Sequence, residues 1–244
     1  RGFVLGDPAY LRIFKDEGLV EVWMQKNAQS RFELFEIYPI CKHSGSLGPK
    51  QKTGDRQAPE GFYEVNLKHL NPNSKYHLAI NMGYPNAFDK ANGRTGDFLM
   101  IHGACASIGC YALTNDSIEE VYTIVEAALQ AGQESVAVHA FPFRMTQDAL
   151  IQRKENPWID FWMNDLLPVY DAFDISGLPP HLMVCDKQYQ IMDGLEANNL
   201  PQGCEAITAW GSKLAAKEPG PEQISTKPAP APAYKPEHSE SLVQ

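Results

Sequence analysis

Between Tyr10 and Ile40 apolar and polar residues alternate closely enough to predict three strands, Tyr10 to Lys15, Leu19 to Met24 and Arg31 to Ile40. These segments are rich in Ile, Val, Phe and Tyr, and the breaks at Asp16-Glu17-Gly18 and Lys26-Asn27-Ala28 are short enough for a meander. From Ser44 to Pro59 a Gly, Pro and Lys-rich stretch predicts a surface loop, after which a strand resumes near Gly61 to Val65. Between Leu70 and Gly96 Asn, Pro, Gly and Tyr are dense and no period stands out, which predicts irregular backbone laid over a core. Phe98 to Ile101 is a short apolar strand that delivers His102-Gly103.

The period then changes. Ile118, Val121, Tyr122, Val125 and Leu129 recur at helical spacing, with Asn115 or Asp116 as the cap and Gly132 as the stop. Val136 to Phe143 reads as a strand, and two helical stretches follow, about Thr146 to Lys154 and Pro157 to Phe173, the second interrupted by Pro168. Met183 to Met192 predicts a hairpin turning at Asp186-Lys187. Beyond Lys217 the Pro, Ala, Lys, Glu and Ser composition offers too little apolar surface to offset ordering entropy, so a disordered tail is expected.

Composition narrows the partners. The 244 residues are 43% hydrophobic and 21% charged, with no apolar run of the roughly 18 residues that a membrane-spanning helix needs. A formal charge of -9 argues against nucleic acid, whose phosphates call for clustered Lys and Arg. The chain opens on Arg1 with no signal-peptide pattern, which reads as a processed or truncated sequence whose start does not reveal its compartment. Five cysteines are too few for a disulfide scaffold, and their odd number leaves at least one thiol unpaired if the others are bridged.

That thiol has an address. The run His102-Gly103-Ala104-Cys105-Ala106-Ser107-Ile108-Gly109-Cys110-Tyr111-Ala112 supplies a thiol and an imidazole able to take its proton, the two parts that acyl transfer through sulfur requires. Gly109 lets the backbone come close to a substrate, and main-chain amides around Cys110 are candidate oxyanion donors. Two other readings stand beside this one. His102 and the cysteines can be core residues, and His102, Cys105 and Cys110 can combine with Cys41 and His43 as a zinc set, although neither pair has CxxC spacing.

Several motifs occur here in the order found in one family. His102-Gly103, Ser107-Ile108-Gly109-Cys110-Tyr111 and, upstream, Pro59-Glu60-Gly61-Phe62-Tyr63 resemble the YkuD-type L,D-transpeptidases of bacterial cell walls. Cys41-Lys42-His43-Ser44-Gly45, Leu47-Gly48-Pro49-Lys50, Gly83-Tyr84-Pro85-Asn86-Ala87 and Phe141-Pro142-Phe143-Arg144-Met145 bring the likeness closest to the YafK branch, over roughly residues 9 to 180. Ile108 stands where the wider family has His, and Ala112 where it has Arg or Asn. The resemblance implies a mainly β fold, a sandwich or barrel with flanking helices, over residues 1–145. A small helical and hairpin α+β extension over 146–217 and a disordered Pro/Ala-rich tail over 218–244 are expected to follow.

By the same resemblance Cys110 is the nucleophile, His102 the general base and later acid, and Gly103 the residue whose carbonyl orients the imidazole. The YafK branch implies an amidase acting at the L-centre of diaminopimelate, on peptidoglycan stem peptides and a peptidoglycan-linked lipoprotein, in the periplasm. A transpeptidase and an inactive peptidoglycan-binding module are the alternatives. No metal or cofactor is expected. Ser107, Gly109, Tyr111, Tyr84, Asn86 and Arg144 are the candidate substrate contacts, Arg and Asn because muropeptides present carboxylates and amides; the alternatives are that Tyr84 packs, Asn86 makes a turn, Arg144 joins a surface ion pair and Ser107 bonds its own loop. Lys50, Lys52 and Arg56 form a basic cluster that either faces an anionic polymer or is a solvated loop. In an oxidising periplasm one arrangement is two disulfides among Cys41, Cys105, Cys185 and Cys204, with Cys110 left reactive. Cys105 can equally be a resolving thiol or a buried small residue.

Overall fold

The computed structural model describes residues 2–26, 31–192 and 200–207; the tail expected over 218–244 and part of the Lys26-Asn27-Ala28 turn lie outside them. The meander forms as β1 (Ala9–Phe14), β2 (Leu19–Met24) and β3 (Glu33–Pro39), each antiparallel to the next, and β4 (Gly61–Val65) follows the long loop. Where the sequence predicts irregular backbone, two antiparallel strands stand instead, β5 (Leu70–Ser74) and β6 (His77–Asn81), followed by a short helix α1 (Ala87–Ala91). The strand β5 reads Leu-Asn-Pro-Asn-Ser and carries no alternation because it is the outer strand of its sheet, largely exposed, where Pro72 needs no partner on its open side.

β7 (Met100–His102) and β8 (Tyr111–Ala112) pair in parallel and complete this second sheet in the order β5-β6-β7-β8. α2 (Asn115–Gln130) starts one residue earlier than its expected caps, on Thr114, whose side chain accepts from the Ser117 N–H. β9 (Val136–Phe141) enters the first sheet between β1 and β4, giving β3-β2-β1-β9-β4.

The remainder covers the other face. α3 (Gln147–Gln152) and α4 (Ile159–Phe161) lead into a π-helical turn at Trp162–Leu166 and then α5 (Leu167–Ser176). The expected interruption at Pro168 takes the form of that π-helical turn, after which Pro168 stands in the first turn of α5. β10 (Leu182–Cys185) and β11 (Gln188–Ile191) form the expected hairpin, and β12 (Glu205–Ala206) joins β10.

The first sheet is buried on both sides. Along β1, Leu11 and Ile13 pack into a core shared with Ile80 and Ile101 of the second sheet and with Ile118, Val121 and Val125 of α2. The intervening Phe14 faces a second core with Phe62, Phe141, Trp162 and Tyr170. Arg12 shares that second face, nearly sealed from solvent, its guanidinium 4.4 Å from the Tyr170 ring centre and 4.9 Å from that of Phe173, with Asp174 at 2.9 Å. The α3–α5 segment thus supplies the layer that lets a six-residue strand be buried throughout.

Candidate active site

The parallel pairing of β7 and β8 sets the geometry of the chemistry-bearing run. Ile101 opposes Tyr111 and His102 opposes Ala112, and Ile101, Tyr111 and Leu113 all point into the main core. Cys110 is the residue just before β8, so the pairing sets it beside the strand that ends on His102, with its thiol against the Phe98 carbonyl and near the Met100 backbone.

Gly103 fits where no other residue does. A β-carbon there would lie 2.8 Å from Asn115 Oδ1 and 2.9 Å from the Tyr76 carbonyl, while its N–H donates to that carbonyl at 3.1 Å. Its own carbonyl accepts from His102 Nδ1 at 2.7 Å, which fixes the proton on Nδ1 and leaves Nε2 as the basic nitrogen. The Tyr76 ring lies 4.6 Å from the imidazole. Burial lowers the pKa of His102, with the Gly103 carbonyl acting against it. Burial raises that of the Cys110 thiol, while the Met100 backbone and the Lys50 charge pull it down. Both groups are therefore neutral near pH 7. Among the described residues no hydrogen bond joins them; the thiol instead contacts the Phe98 carbonyl at 3.8 Å.

Ser107 accepts from the Cys110 N–H at 3.0 Å and donates to the Cys110 carbonyl at 2.6 Å, holding the main chain of that one residue at both ends. The Gly109 N–H is bonded by the Ser44 hydroxyl. The amides expected to receive an oxyanion are thus occupied by two hydroxyls, and an oxyanion would have to replace them. Ser44 belongs to a motif noted in the sequence, but its spacing from Cys110 gave no sign of this contact.

Two devices hold these loops in place. Cys41 and Cys105 form a disulfide across 64 residues, a closure worth about 4 kcal/mol in the chain-entropy account. Cys185 pairs with Cys204, and Cys110 is the free cysteine. The Cys41–Cys105 bond also takes two residues out of the conceivable zinc set. The second device is a fully buried ion pair that sequence reasoning missed. Lys15 Nζ donates to the Gly48 and Ala58 carbonyls at 2.8 Å each and to Glu60 at 3.2 Å, while Glu60 accepts from the Gly48 N–H and from Trp162 Nε1. It ties the 48–60 loop to β1 and to the helical layer.

The other expected contacts are dispersed. Tyr111 is sealed in the core with its hydroxyl on the Pro59 carbonyl. Tyr84 is buried and reaches the Lys50 carbonyl at 3.3 Å. Asn86 caps α1, accepting from the Asp89 N–H, and its amide donates to the Phe62 carbonyl at 2.7 Å. Arg144 pairs with Glu21 and lies over the Phe14 ring, on the second core's side of the first sheet. Of the six, only Ser107 and Gly109 adjoin Cys110 without turning a side chain into the core, as Tyr111 does.

A family model of the L,D-transpeptidase catalytic domain, YkuD, matches residues 21–139. The chain is also 45% identical over 188 residues to the Escherichia coli K12 protein named "Putative L,D-transpeptidase YafK", covering 77% of this chain and 75% of that one. The chain belongs to the YkuD L,D-transpeptidase family. Among solved structures it is similar to the helical cell shape determining protein Pgp2 of Campylobacter jejuni, at 22% identity and a TM-score of 0.44, over 69% of this chain and 64% of that one. It is also similar to Bd1075 of Bdellovibrio bacteriovorus, at 15% identity and a TM-score of 0.42, over 84% of this chain and 92% of that one. The mainly β architecture expected from the resemblance is the one observed, and membership supports an L,D-transpeptidase-type activity on peptidoglycan. Among the described residues no helix is long and apolar enough to cross a membrane.

Proposed function

We propose that this protein is a cysteine acyl-enzyme that hydrolyses an amide at the L-centre of diaminopimelate, releasing a protein or peptide from peptidoglycan. The observation that carries the reading is the pairing of β7 with β8, which sets Cys110, the residue before β8, beside the strand that ends on His102, with the imidazole oriented by the Gly103 carbonyl so that Nε2 is the free base. Residues 1–145 are the catalytic unit in this reading, and 146–217 an extension whose α3–α5 segment covers its sheet. The two disulfides support an oxidising compartment, the periplasm.

In the first half-reaction Cys110 Sγ bonds to the carbonyl carbon and its proton passes to His102 Nε2. Collapse of the tetrahedral intermediate breaks the C–N bond, and His102 returns the proton to the leaving amine. Water then attacks the thioester, giving its proton to His102, and the C–S bond breaks to restore the thiol and release a carboxylic acid. An amine in place of water would make the same site a transpeptidase. Hydrolysis is preferred here because the resemblance to the YafK branch implies it and because Ile108 and Ala112 stand where the wider family has polar side chains.

Mass spectrometry of intact sacculi treated with the protein is the test. Released lipoprotein ending in a free Lys amine is expected; new L,D cross-links would overturn hydrolysis. The electrostatics add a pH signature. Because burial lowers the imidazole pKa from its ordinary value of about 6.5, the acid-side fall of kcat/KM is expected to centre below that value. Alkylation of Cys110 by iodoacetamide, which needs the thiolate, is expected to keep climbing above pH 8.5. A thiolate already formed at pH 6 would contradict a neutral pair.

A further inference from the structure

Cys110 opens onto a cleft of about 140 Å³ whose walls differ in character. Phe98 and Ile108 line it with large apolar side chains that are 66% and 76% exposed. Lys50, Arg56 and Asp97 bring charge to it. The Lys50 charge is already matched by Asp55. The side chains of Arg56 and Asp97 have no ion pair or hydrogen bond among the described residues, and they do not pair with each other. A cleft that holds a nucleophile, exposed apolar surface, one unmatched cation and one unmatched anion is the complement of an aliphatic chain ending in a zwitterionic α-amino acid.

We propose that Arg56 and Asp97 form a subsite for the free D-centre of diaminopimelate, Arg56 taking its carboxylate and Asp97 its ammonium, while Phe98 and Ile108 cover the methylene chain leading to the carbonyl at Cys110. The proposal rests on the function argued above, which supplies a substrate with these two ends. The loop carrying Arg56 is already ordered. Asp55 accepts from the Gln51 and Lys52 N–H groups as well as from Lys50, and the Gln57 amide donates to the Ser46 and Gly48 carbonyls. Arg56 itself is held between them at φ +56°, so little backbone freedom remains to be lost on binding.

The test uses synthetic L-Ala-γ-D-Glu-diaminopimelate peptides whose L-carboxyl is amidated to lysine, with the D-centre free, converted to a carboxamide, or N-acetylated. Turnover is measured with the whole protein and with Arg56→Gln, Arg56→Lys and Asp97→Asn, and binding of the same peptides is measured calorimetrically on Cys110→Ala. The carboxamide is expected to lower both kcat/KM and affinity by about 10- to 100-fold. Arg56→Gln should lose the same factor on the free peptide and then stop distinguishing carboxylate from carboxamide, with Arg56→Lys recovering part of it. Asp97→Asn should behave likewise toward the N-acetyl peptide. Both side chains being exposed, melting temperatures should not move. Cys110-dependent turnover with no discrimination among the peptides would overturn the subsite and leave the chemistry intact. Discrimination in binding with no turnover would sustain the subsite and overturn the chemistry.

Discussion

Cys110→Ala is expected to reduce turnover of a diaminopimelate amide by about 10⁴-fold or more, to the level left by binding alone, because Cys110 is the free thiol that forms the acyl intermediate in the proposed reaction. His102→Ala keeps the thiol but removes the group that takes its proton, and a fall of about 10²- to 10⁴-fold is expected. The two losses should not add. With burial holding the thiol protonated, a Cys110 without its base is nearly as poor as no Cys110, so the double variant should match Cys110→Ala within a few-fold. Intact-mass detection of a thioester in the wild type, lost in Cys110→Ala, is the accompanying measurement. Turnover by Cys110→Ala within tenfold of wild type would remove the cysteine mechanism. The lack of a direct thiol–imidazole hydrogen bond is compatible with this expectation, since such bonds often tighten only when substrate is bound.

Much of this was legible in the sequence because alternation and helical period report burial on one face. The meander, the helix at Asn115–Gln130 and the hairpin after Leu182 all carry such a signal. The edge strand β5 does not, because an exposed Pro-containing strand has no face to mark. Cys110 and His102 stood out because they fall in one short run whose strands are adjacent. The contacts made by the outlying residues could not be read this way. Nothing local to Arg144 announces that Glu21, 123 residues away in sequence, neutralises it, and nothing in Asn86 distinguishes a substrate amide from the cap and Phe62 carbonyl it serves. Arg56 and Asp97 face the same difficulty in reverse. They looked like ordinary loop charges, and only the placement of Cys110 between their segments gives them meaning.

Glu60→Gln and Lys15→Met, taken singly, are each expected to destabilise the fold by about 3–5 kcal/mol, the cost of leaving one buried charge without its partner. For a chain of this size that lowers the melting temperature by on the order of 10 °C or more. Lys15 is completely buried and burial already lowers its pKa, so the ammonium survives only through Glu60 and the two loop carbonyls. Removing the carboxylate while keeping the amine should therefore be as damaging as the reverse. The double replacement by apolar residues of similar volume should recover a large part of the loss, because it removes both desolvated charges together. Activity should not recover with it. Without Lys15 and Glu60 the Gly48 and Ala58 carbonyls and the Gly48 N–H lose their buried partners, and the segment that places Ser44 and Arg56 beside Cys110 is released from β1. Thermal melting and kcat/KM measured on the two single variants and the double would separate these effects; a double variant regaining both stability and full activity would show that the pair holds the fold without positioning the site.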